Sequence, residues 1–216
     1  MIYDLDGVVT FKDTFGALLT ERLRSSPGRL VRALPTAVSW ATARRPEQRA
    51  FAARNLARIA LSGMRDVEYA EYSRTIGRRI AHDPAWIRAD IVRRIRFQHA
   101  NGTRIIIATA SEARLARALL QAAGVPFHVL SASVLVATAT GMDVGDHRVG
   151  ARKAEALLAA GVRIAEAEFV TDSRTDLPTA RLAAEVTLVG PSLTTRRAFK
   201  REQVPFSLWP KGHRDE

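Results

Sequence analysis

Residues 1–10 read MIYDLDGVVT, a short apolar run that ends in two carboxylates, Asp4 and Asp6, before a break at Gly7. Residues two apart on a strand point to the same side, so these carboxylates would lie about 6 to 7 Å apart. Two negative charges this close require a cation or a proton between them, and Mg²⁺ is commonly held by carboxylates together with substrate phosphate oxygens. A solvated turn or the start of a calcium loop has the same short pattern, so the rest of the chain has to decide.

The length and composition of the chain narrow the class of protein. Its 216 residues suffice for one large domain or for a core that carries an insertion. We find no run of about 18 apolar residues and no basic region followed by a long apolar stretch at the start, so the sequence predicts a cytoplasmic protein. The absence of cysteine excludes disulfides, thiolate metal sites and a cysteine nucleophile.

The positive charge of the chain is concentrated in one segment. The formal net charge is +11, and residues 11–100 contain 18 Lys and Arg against 8 Asp and Glu, whereas the remainder contains 15 against 14. The excess is typical either of arginine-rich helix faces exposed to water or of a surface for anionic substrates or lipid headgroups.

The hydrophobic pattern changes near Asn101-Gly102. Apolar residues at three- and four-residue spacing from Asp13 to about Ala100 predict four or five helices, one of them beginning after Asp83-Pro84 and including Trp86 and Ile87. Beyond that point we predict short strands that alternate with helices and a hairpin near residues 134–146, which indicates right-handed β-α-β units and a parallel sheet. The predicted strands cover residues 104–108, 126–130, 168–171, 186–189 and 204–208, and the helices cover residues 112–123, 151–160, 176–184 and 192–201.

The simplest domain organisation is therefore an α/β core interrupted by a helical insertion. We assign residues 1–12 and 101–216 to the core and residues 13–100 to a helical cap. Ligands of open α/β sheets bind at the carboxyl ends of the strands. Asp4, Thr109 and Asp172 are all predicted at such ends.

Four motifs now follow one another: Asp4-Leu5-Asp6-Gly7-Val8, Thr109-Ala110-Ser111, Lys153, and Asp172-Ser173-Arg174-Thr175-Asp176. Their order resembles the haloacid dehalogenase superfamily, and the position of the insertion resembles its phosphoserine-phosphatase-like branch, subfamily IB. This resemblance implies a Rossmann-like parallel sheet with helices on both faces, plus an inserted all-helical cap.

The resemblance also implies the roles of the first two carboxylates. A phosphate monoester is hydrolysed extremely slowly without a catalyst, so an attacking oxygen has to be held in line and charge has to be neutralised. Asp4 would be the nucleophile that forms an aspartyl-phosphate. Asp6 would act as general acid and base, with its pKa raised by neighbouring negative charge.

The same resemblance implies a magnesium site. Mg²⁺ would be bound by the carboxylates of Asp4 and Asp172 and by the backbone carbonyl of Asp6. Asp176, one turn beyond Asp172, would orient a metal-bound water.

Phosphate binding is implied for the second motif and for Lys153. The Thr109 hydroxyl and the backbone amides of Ala110 and Ser111, at a helix N-terminus, would donate hydrogen bonds to phosphate oxygens. Lys153 would neutralise the developing negative charge. A lysine is disfavoured in the first turn of a helix, which supports a functional reason for it.

Two positions depart from the family pattern. Thr171 stands where many relatives have glycine, and Val8-Val9 replace a common Thr-Leu pair; neither change is expected to touch a proposed ligand. Aspartate at position 6 favours phosphate-ester chemistry over dehalogenation.

The sequence therefore predicts a Mg²⁺-dependent phosphomonoester phosphatase acting on a small phosphorylated substrate, phosphoserine-like or a sugar phosphate. Asp13 is a candidate for substrate binding, although it can also cap the helix that begins at Thr14. The apolar segment Arg29–Trp40, followed by Arg44-Arg45, either packs inside the cap or lies at a membrane surface.

The alternatives differ in substrate or in class. A membrane contact would favour a lipid phosphate such as a phosphatidylglycerol phosphate, and a phosphotransferase would use the same motifs. A non-enzymatic alternative is a basic protein that binds nucleic acid or membranes, although the sequence contains no compact basic-aromatic nucleic-acid module. The oligomeric state is not predicted.

Overall fold

A computed structural model describes residues 1–43 and 46–210, so the Arg44-Arg45 pair lies outside the described residues. The fold is the predicted α/β architecture, a mostly parallel sheet flanked by helices. Its seven strands lie in the order β4-β3-β2-β1-β5-β6-β7, and only β4 is antiparallel to its neighbour. The strands are β1 (Ile2–Tyr3), β2 (Ile106–Glu112), β3 (Val129–Thr138), β4 (Gly141–Asp146), β5 (Glu168–Thr171), β6 (Glu185–Leu188) and β7 (Ser207–Leu208).

Nine α-helices are present in these two ranges. They are α1 (Thr14–Arg24), α2 (Pro27–Thr42), α3 (Pro46–Ala60), α4 (Asp66–Ala81), α5 (Ala89–Ala100), α6 (Ala113–Ala122), α7 (Ala151–Ala159), α8 (Leu177–Ala180) and α9 (Leu193–Arg201). None of them, within the part of the chain described, is long and apolar enough to cross a membrane.

The central strands are buried on both faces. Side chains alternate across a strand, so Ile2 and Tyr3 of β1 enter different core clusters. Tyr3 packs in the cluster that includes α5 and α6, whereas Ile2 packs in the cluster that includes α7 and α9. Burial on both faces explains why residues 105–108, which lead into β2, are a continuous apolar run in the sequence.

Five helices lie between β1 and β2, as the helical spacing predicts. Among them, α4 packs so closely along α6 that a Cβ on Gly77 would lie 2.9 Å from the carbonyl oxygen of Leu115. Helix α5 packs over the sheet, where Tyr3 donates a hydrogen bond to Gln98 and Arg94 forms a 2.8 Å ion pair with Glu168. The assignment of residues 13–100 to a separate cap stays a prediction.

Several predicted element boundaries are wrong. The helix predicted at residues 176–184 is the short α8, the strand predicted at residues 204–208 is limited to β7, and the strand predicted at residues 104–108 extends to Glu112 as β2.

Helix α5 does not begin after Asp83-Pro84, because Asp83 accepts a hydrogen bond from the amide of Ala85 and closes a turn. Trp86 ends this turn, because its amide donates to the carbonyl of Asp83, and its own carbonyl accepts from the amide of Phe11. Ile87 follows in an isolated β-bridge with Thr10. The segments predicted at residues 126–130 and 134–137 belong to one strand, β3, which pairs with β4 to form the predicted hairpin.

Candidate active site

The chain turns immediately after β1. The carbonyl of Leu5 accepts the amides of Val9 and Thr10, each at 2.9 Å, so Asp6 lies in a turn and not on a strand. The expectation that Asp4 and Asp6 share one strand face is therefore wrong, because β1 ends at Tyr3.

Gly7 brings this turn against the loop that follows β5. Its φ is +77°, in the left-handed region, and a Cβ there would lie 2.2 Å from Oδ2 of Asp172. Only glycine adopts this positive φ readily and also leaves room for the Asp172 carboxylate. The first and last motifs meet at this contact.

The ammonium group of Lys153 forms ion pairs with two carboxylates of the site. Its ammonium lies 3.0 Å from Oδ2 of Asp4 and 2.8 Å from Oδ1 of Asp176, and its side chain is 2% exposed. Burial alone would lower the pKa of Lys153, but the charges of Asp176 and Asp4 raise it above its ordinary value. Burial raises the pKa of Asp4, and Lys153 opposes this change. These two ion pairs offset the unfavourable position of a lysine in the first turn of α7.

Asp6 is held by groups from two distant segments. The amide of Thr14 donates to Oδ1 at 2.8 Å, and the Ser111 hydroxyl donates to Oδ2 at 2.7 Å. The pKa of Asp6 is raised, first by burial and then by the charge of Asp13, against these hydrogen bonds. The sequence predicts that neighbouring negative charge raises the pKa of Asp6, whereas burial makes the larger contribution to this shift. Thr14 was not predicted as a site residue, and its place at the start of a helix carries no signal of this contact.

Thr171 contacts a proposed site residue, contrary to expectation. Its hydroxyl donates to Oδ2 of Asp176 at 2.6 Å and accepts from the amide of Ser173 at 3.2 Å. The expectation failed because Thr171 ends β5 with its side chain turned towards the turn that carries Asp176. A hydroxyl residue directly before an acidic motif is the only signal of this role in the sequence.

The second motif has a different local structure from the predicted one. Ala110 and Ser111 were expected at a helix N-terminus, but β2 continues to Glu112 and α6 begins at Ala113. The Ser111 amide donates to the Thr109 hydroxyl at 2.9 Å, and that hydroxyl lies 3.3 Å from Oδ2 of Asp6. Phosphate binding by Thr109, Ala110 and Ser111 stays a prediction.

The site carries an excess of negative charge. Asp4, Asp6, Asp172 and Asp176 line one cavity, and the ammonium of Lys153 forms ion pairs with two of them, Asp4 and Asp176. Lys12 also lines this cavity, with its ammonium over the ring of Trp86. Burial and then the charge of Asp176 raise the pKa of Asp172 to about 6. Within residues 1–43 and 46–210, the Asp172 carboxylate has no ion pair. A divalent cation beside Asp172 would relieve this repulsion.

The donor set suits Mg²⁺. Hard oxygen ligands are available from the carboxylates of Asp4 and Asp172 and from the backbone carbonyl of Asp6. No cluster of three or more His, Asp or Glu side chains with metal-binding geometry occurs in the described ranges. The ligand set implied for Mg²⁺ does not require such a cluster, because it consists of two carboxylates and one backbone carbonyl.

A cavity of about 670 Å³ extends from the carboxylates towards α1, α2 and α3. Asp13 lies on its lining and accepts a hydrogen bond from the amide of Gly16 at 2.9 Å, so it caps α1. Its role in substrate binding stays a prediction.

Several solved structures share this fold. A protein of unknown function from Bordetella pertussis Tohama I has a TM-score of 0.72 at 19% identity, covering 95% of this chain and 96% of that one. A phosphoserine phosphohydrolase-like protein from Francisella tularensis has a TM-score of 0.64 at 12% identity, covering 96% and 93%. A phosphoserine phosphatase solved as a phospho-aspartyl intermediate analogue has a TM-score of 0.60 at 10% identity, covering 96% and 91%.

A search of curated protein sequences and a search of family profiles gave different results. Curated protein sequences include no significant match to this chain. The profile of the haloacid dehalogenase-like hydrolases matches residues 1–181. Because this match spans more than four fifths of the chain, the protein belongs to the haloacid dehalogenase-like hydrolase family.

Proposed function

We propose that the protein is a Mg²⁺-dependent phosphomonoester phosphatase that works through an aspartyl-phosphate. The observation that carries this proposal is the buried ammonium of Lys153 between Asp4 and Asp176, beside a separately held carboxyl group, Asp6. This arrangement provides a fixed nucleophile, a cation and an acid, which are the groups that hydrolysis of a phosphate dianion requires. Phosphatases among its structural neighbours support the same function.

The reaction takes place in two displacements. A carboxylate oxygen of Asp4 attacks phosphorus, the bond from phosphorus to the leaving oxygen breaks, and Asp6 donates its proton to that oxygen. Asp6 then accepts a proton from water as the water attacks the aspartyl-phosphate, which releases inorganic phosphate and restores Asp4. Its raised pKa favours the protonated form that the first step needs.

Lys153 has three functions in this scheme. It lowers the pKa of Asp4 against the larger, raising effect of burial, and it holds Asp176 in place. It also neutralises charge that develops during transfer. Mg²⁺, held by Asp4, Asp172 and the carbonyl of Asp6, would supply further charge neutralisation when bound.

Hydrolysis of p-nitrophenyl phosphate in Mg²⁺ and in EDTA tests the proposal. We expect turnover only with Mg²⁺ and a loss of at least about 1,000-fold in Asp4→Asn. Asp83→Asn, in an exposed turn, is the matched control and should retain activity. Mass spectrometry of Asp6→Asn after acid quenching should show a phosphoryl adduct on Asp4, because the second displacement is slowed. Turnover that persists in EDTA and in Asp4→Asn would refute the mechanism.

The phosphotransferase alternative shares the first displacement. An alcohol added to the assay distinguishes the two functions, since a transferase would form the phosphorylated alcohol in place of inorganic phosphate. We expect phosphate as the main product. Membership of a hydrolase family sets aside the alternative of a purely basic nucleic-acid- or membrane-binding protein.

A further inference from the structure

The cavity beyond the carboxylates has an apolar wall. Phe15, Leu19 and Leu23 recur every four residues on α1 and therefore share one helix face. Side chains from α3 and from the β3-β4 hairpin complete what we term the apolar channel. Its principal side chains are Phe15, Leu19, Leu23, Leu56, Leu135 and Val144.

The charged side chains near this channel are already engaged. Arg54 forms a 3.2 Å ion pair with Asp143, and Asp13 caps α1. Glu112 accepts hydrogen bonds from Tyr69 and from the first amides of α6. A phosphorylated amino acid needs a carboxylate for its ammonium group and a cation for its carboxylate. Arg54 and Glu112 would have to leave existing partners to serve, Asp13 uses one oxygen for the cap of α1, and the ammonium of Lys12 lies over the ring of Trp86. The lining matches an apolar leaving group better.

Helix α2 contributes one side chain to the lining of this cavity, that of Trp40, which is 45% exposed. On the same helix Ala33 is only 3% exposed. In contrast, Leu30, Val31, Leu34 and Val38 are 43 to 65% exposed. At about 100° per residue these four side chains fall within one arc of roughly 100°, which we term the outer face of α2. Contiguous exposed apolar side chains of this kind mark interaction sites.

The charge around the outer face favours an anionic lipid surface as its partner. Residues 21–60 contain nine arginines and two glutamates, a net charge of +7, and two of these arginines, Arg54 and Arg58, pair with Asp143. A helix with exposed apolar residues and flanking arginines binds in the plane of a membrane interface, and anionic lipids add electrostatic attraction. The cavity that contains the apolar channel also contains the catalytic carboxylates, and Trp40 of α2 lies on its lining.

We propose that the substrate is an amphiphilic phosphate monoester whose apolar chain occupies the apolar channel, and that the enzyme takes it from an anionic bilayer contacted by the outer face of α2. This inference rests on the proposed phosphatase activity and names its substrate class. The phosphate would reach Asp4 while the chain remains among Leu19, Leu23 and Leu56.

A series of n-alkyl phosphates from ethyl to dodecyl, used below the concentration of micelle formation, tests the channel. Each buried methylene group can raise kcat/KM by up to about fourfold. We expect octyl phosphate to exceed butyl phosphate by at least about 10-fold. Leu19→Gln should flatten this dependence on chain length, and Leu158→Gln, at an exposed site on α7, is the matched control.

The alkyl phosphate series distinguishes failure of the proposed substrate class from failure of the proposed phosphatase function. Turnover of p-nitrophenyl phosphate with a flat alkyl series, or with higher kcat/KM for phosphoserine or a sugar phosphate, overturns the substrate class and leaves the phosphatase intact. Absence of Mg²⁺-dependent turnover of any phosphate ester overturns the proposed function itself.

Co-sedimentation of the full chain with vesicles tests the bilayer. We expect binding to phosphatidylcholine that contains about one third phosphatidylglycerol, weaker binding to pure phosphatidylcholine, and weakening by salt. Val38→Glu should reduce the bound fraction at least about fivefold, whereas Val67→Glu, on α4 and equally exposed, should not. Equal binding of Val38→Glu and wild type, or no binding of wild type to anionic vesicles, overturns the membrane contact.

Discussion

The hydroxyl of Thr171 donates a 2.6 Å hydrogen bond to Oδ2 of Asp176, while Lys153 binds the other oxygen of the same carboxylate. Both oxygens of a fully buried acid are thus held by side chains of other segments. Asp176 is thereby fixed beside Asp172, where the proposed metal would bind.

Thr171→Val should lower both stability and Mg²⁺ affinity. The substitution preserves shape but removes a donor from a buried carboxylate, which costs about 1 to 3 kcal/mol in the free energy of unfolding. Urea denaturation and Mg²⁺ titration of activity measure the two effects. Thr179→Val is the matched control, because the buried Thr179 hydroxyl has no hydrogen-bond partner among the described residues. Equal losses of stability and of Mg²⁺ affinity in Thr171→Val and Thr179→Val would contradict the role given to Thr171.

Lys153→Met should remove activity and destabilise the fold. It leaves the buried carboxylates of Asp4 and Asp176 without their cation, so we expect a loss of about 3 kcal/mol and a decrease in kcat of at least 100-fold. Thermal unfolding and initial rates provide the measurements. Lys200→Met, at an exposed position of α9, should match wild type in both. A variant with near-normal kcat would show that Lys153 has only a structural role.

Asp172→Asn should stabilise the protein in EDTA and abolish stabilisation by Mg²⁺. Without a cation, burial and the charge of Asp176 disfavour the ionised form of Asp172, so removing its charge should raise the free energy of unfolding by about 1 to 3 kcal/mol. Wild type should gain about 2.7 kcal/mol at a Mg²⁺ concentration 100 times Kd. Chemical denaturation in both conditions measures this, with Asp83→Asn as control. Equal Mg²⁺ effects in wild type and Asp172→Asn would exclude Asp172 as a ligand.

Gly7→Ala should cost far more than Gly63→Ala. Both glycines have positive φ, +77° and +71°, so both substitutions incur a similar backbone penalty of about 1 kcal/mol. A Cβ on Gly7 also meets Asp172, whereas one on Gly63 meets no atom within 4 Å. We expect loss of activity and additional destabilisation only in Gly7→Ala. Similar values of Tm and kcat for the two variants would mean that the close contact with Asp172 is unimportant.

Stability should decrease in acid through Asp143. Burial alone would raise the pKa of Asp143, but hydrogen bonds from Arg54 and the Val144 amide, with the charge of Arg58, lower it below the ordinary value. A carboxylate with a lowered folded-state pKa stabilises the fold above the unfolded pKa of about 3.9, and this contribution is lost as pH falls through the lower value. Its size is about 1 kcal/mol, because both arginine side chains are more than half exposed. Unfolding measured from neutral pH to below pH 4 should show a smaller acid loss in Asp143→Asn; identical profiles would contradict the prediction.

The sequence predicted the alternating elements after residue 100 because their apolar runs are local and nearly continuous. It also placed Asp4 and Asp172 at the ends of predicted strands, whereas Lys153 was identified only through the resemblance to haloacid dehalogenases. It misplaced the start of α5, because the Asp83 cap that begins a helix in many proteins closes a turn here.

Local pattern by itself determined the class of fold and the residue types of the site, because periodicity and strand-end position are properties of neighbouring residues. The partners of each carboxylate were decided only by the tertiary structure. Ser111 reaches Asp6 across 105 residues, and Thr171 turns towards Asp176 only because β5 ends where it does. The direction in which a side chain points towards another segment depends on how the two segments pack. The spacing of residues within one segment does not predict it.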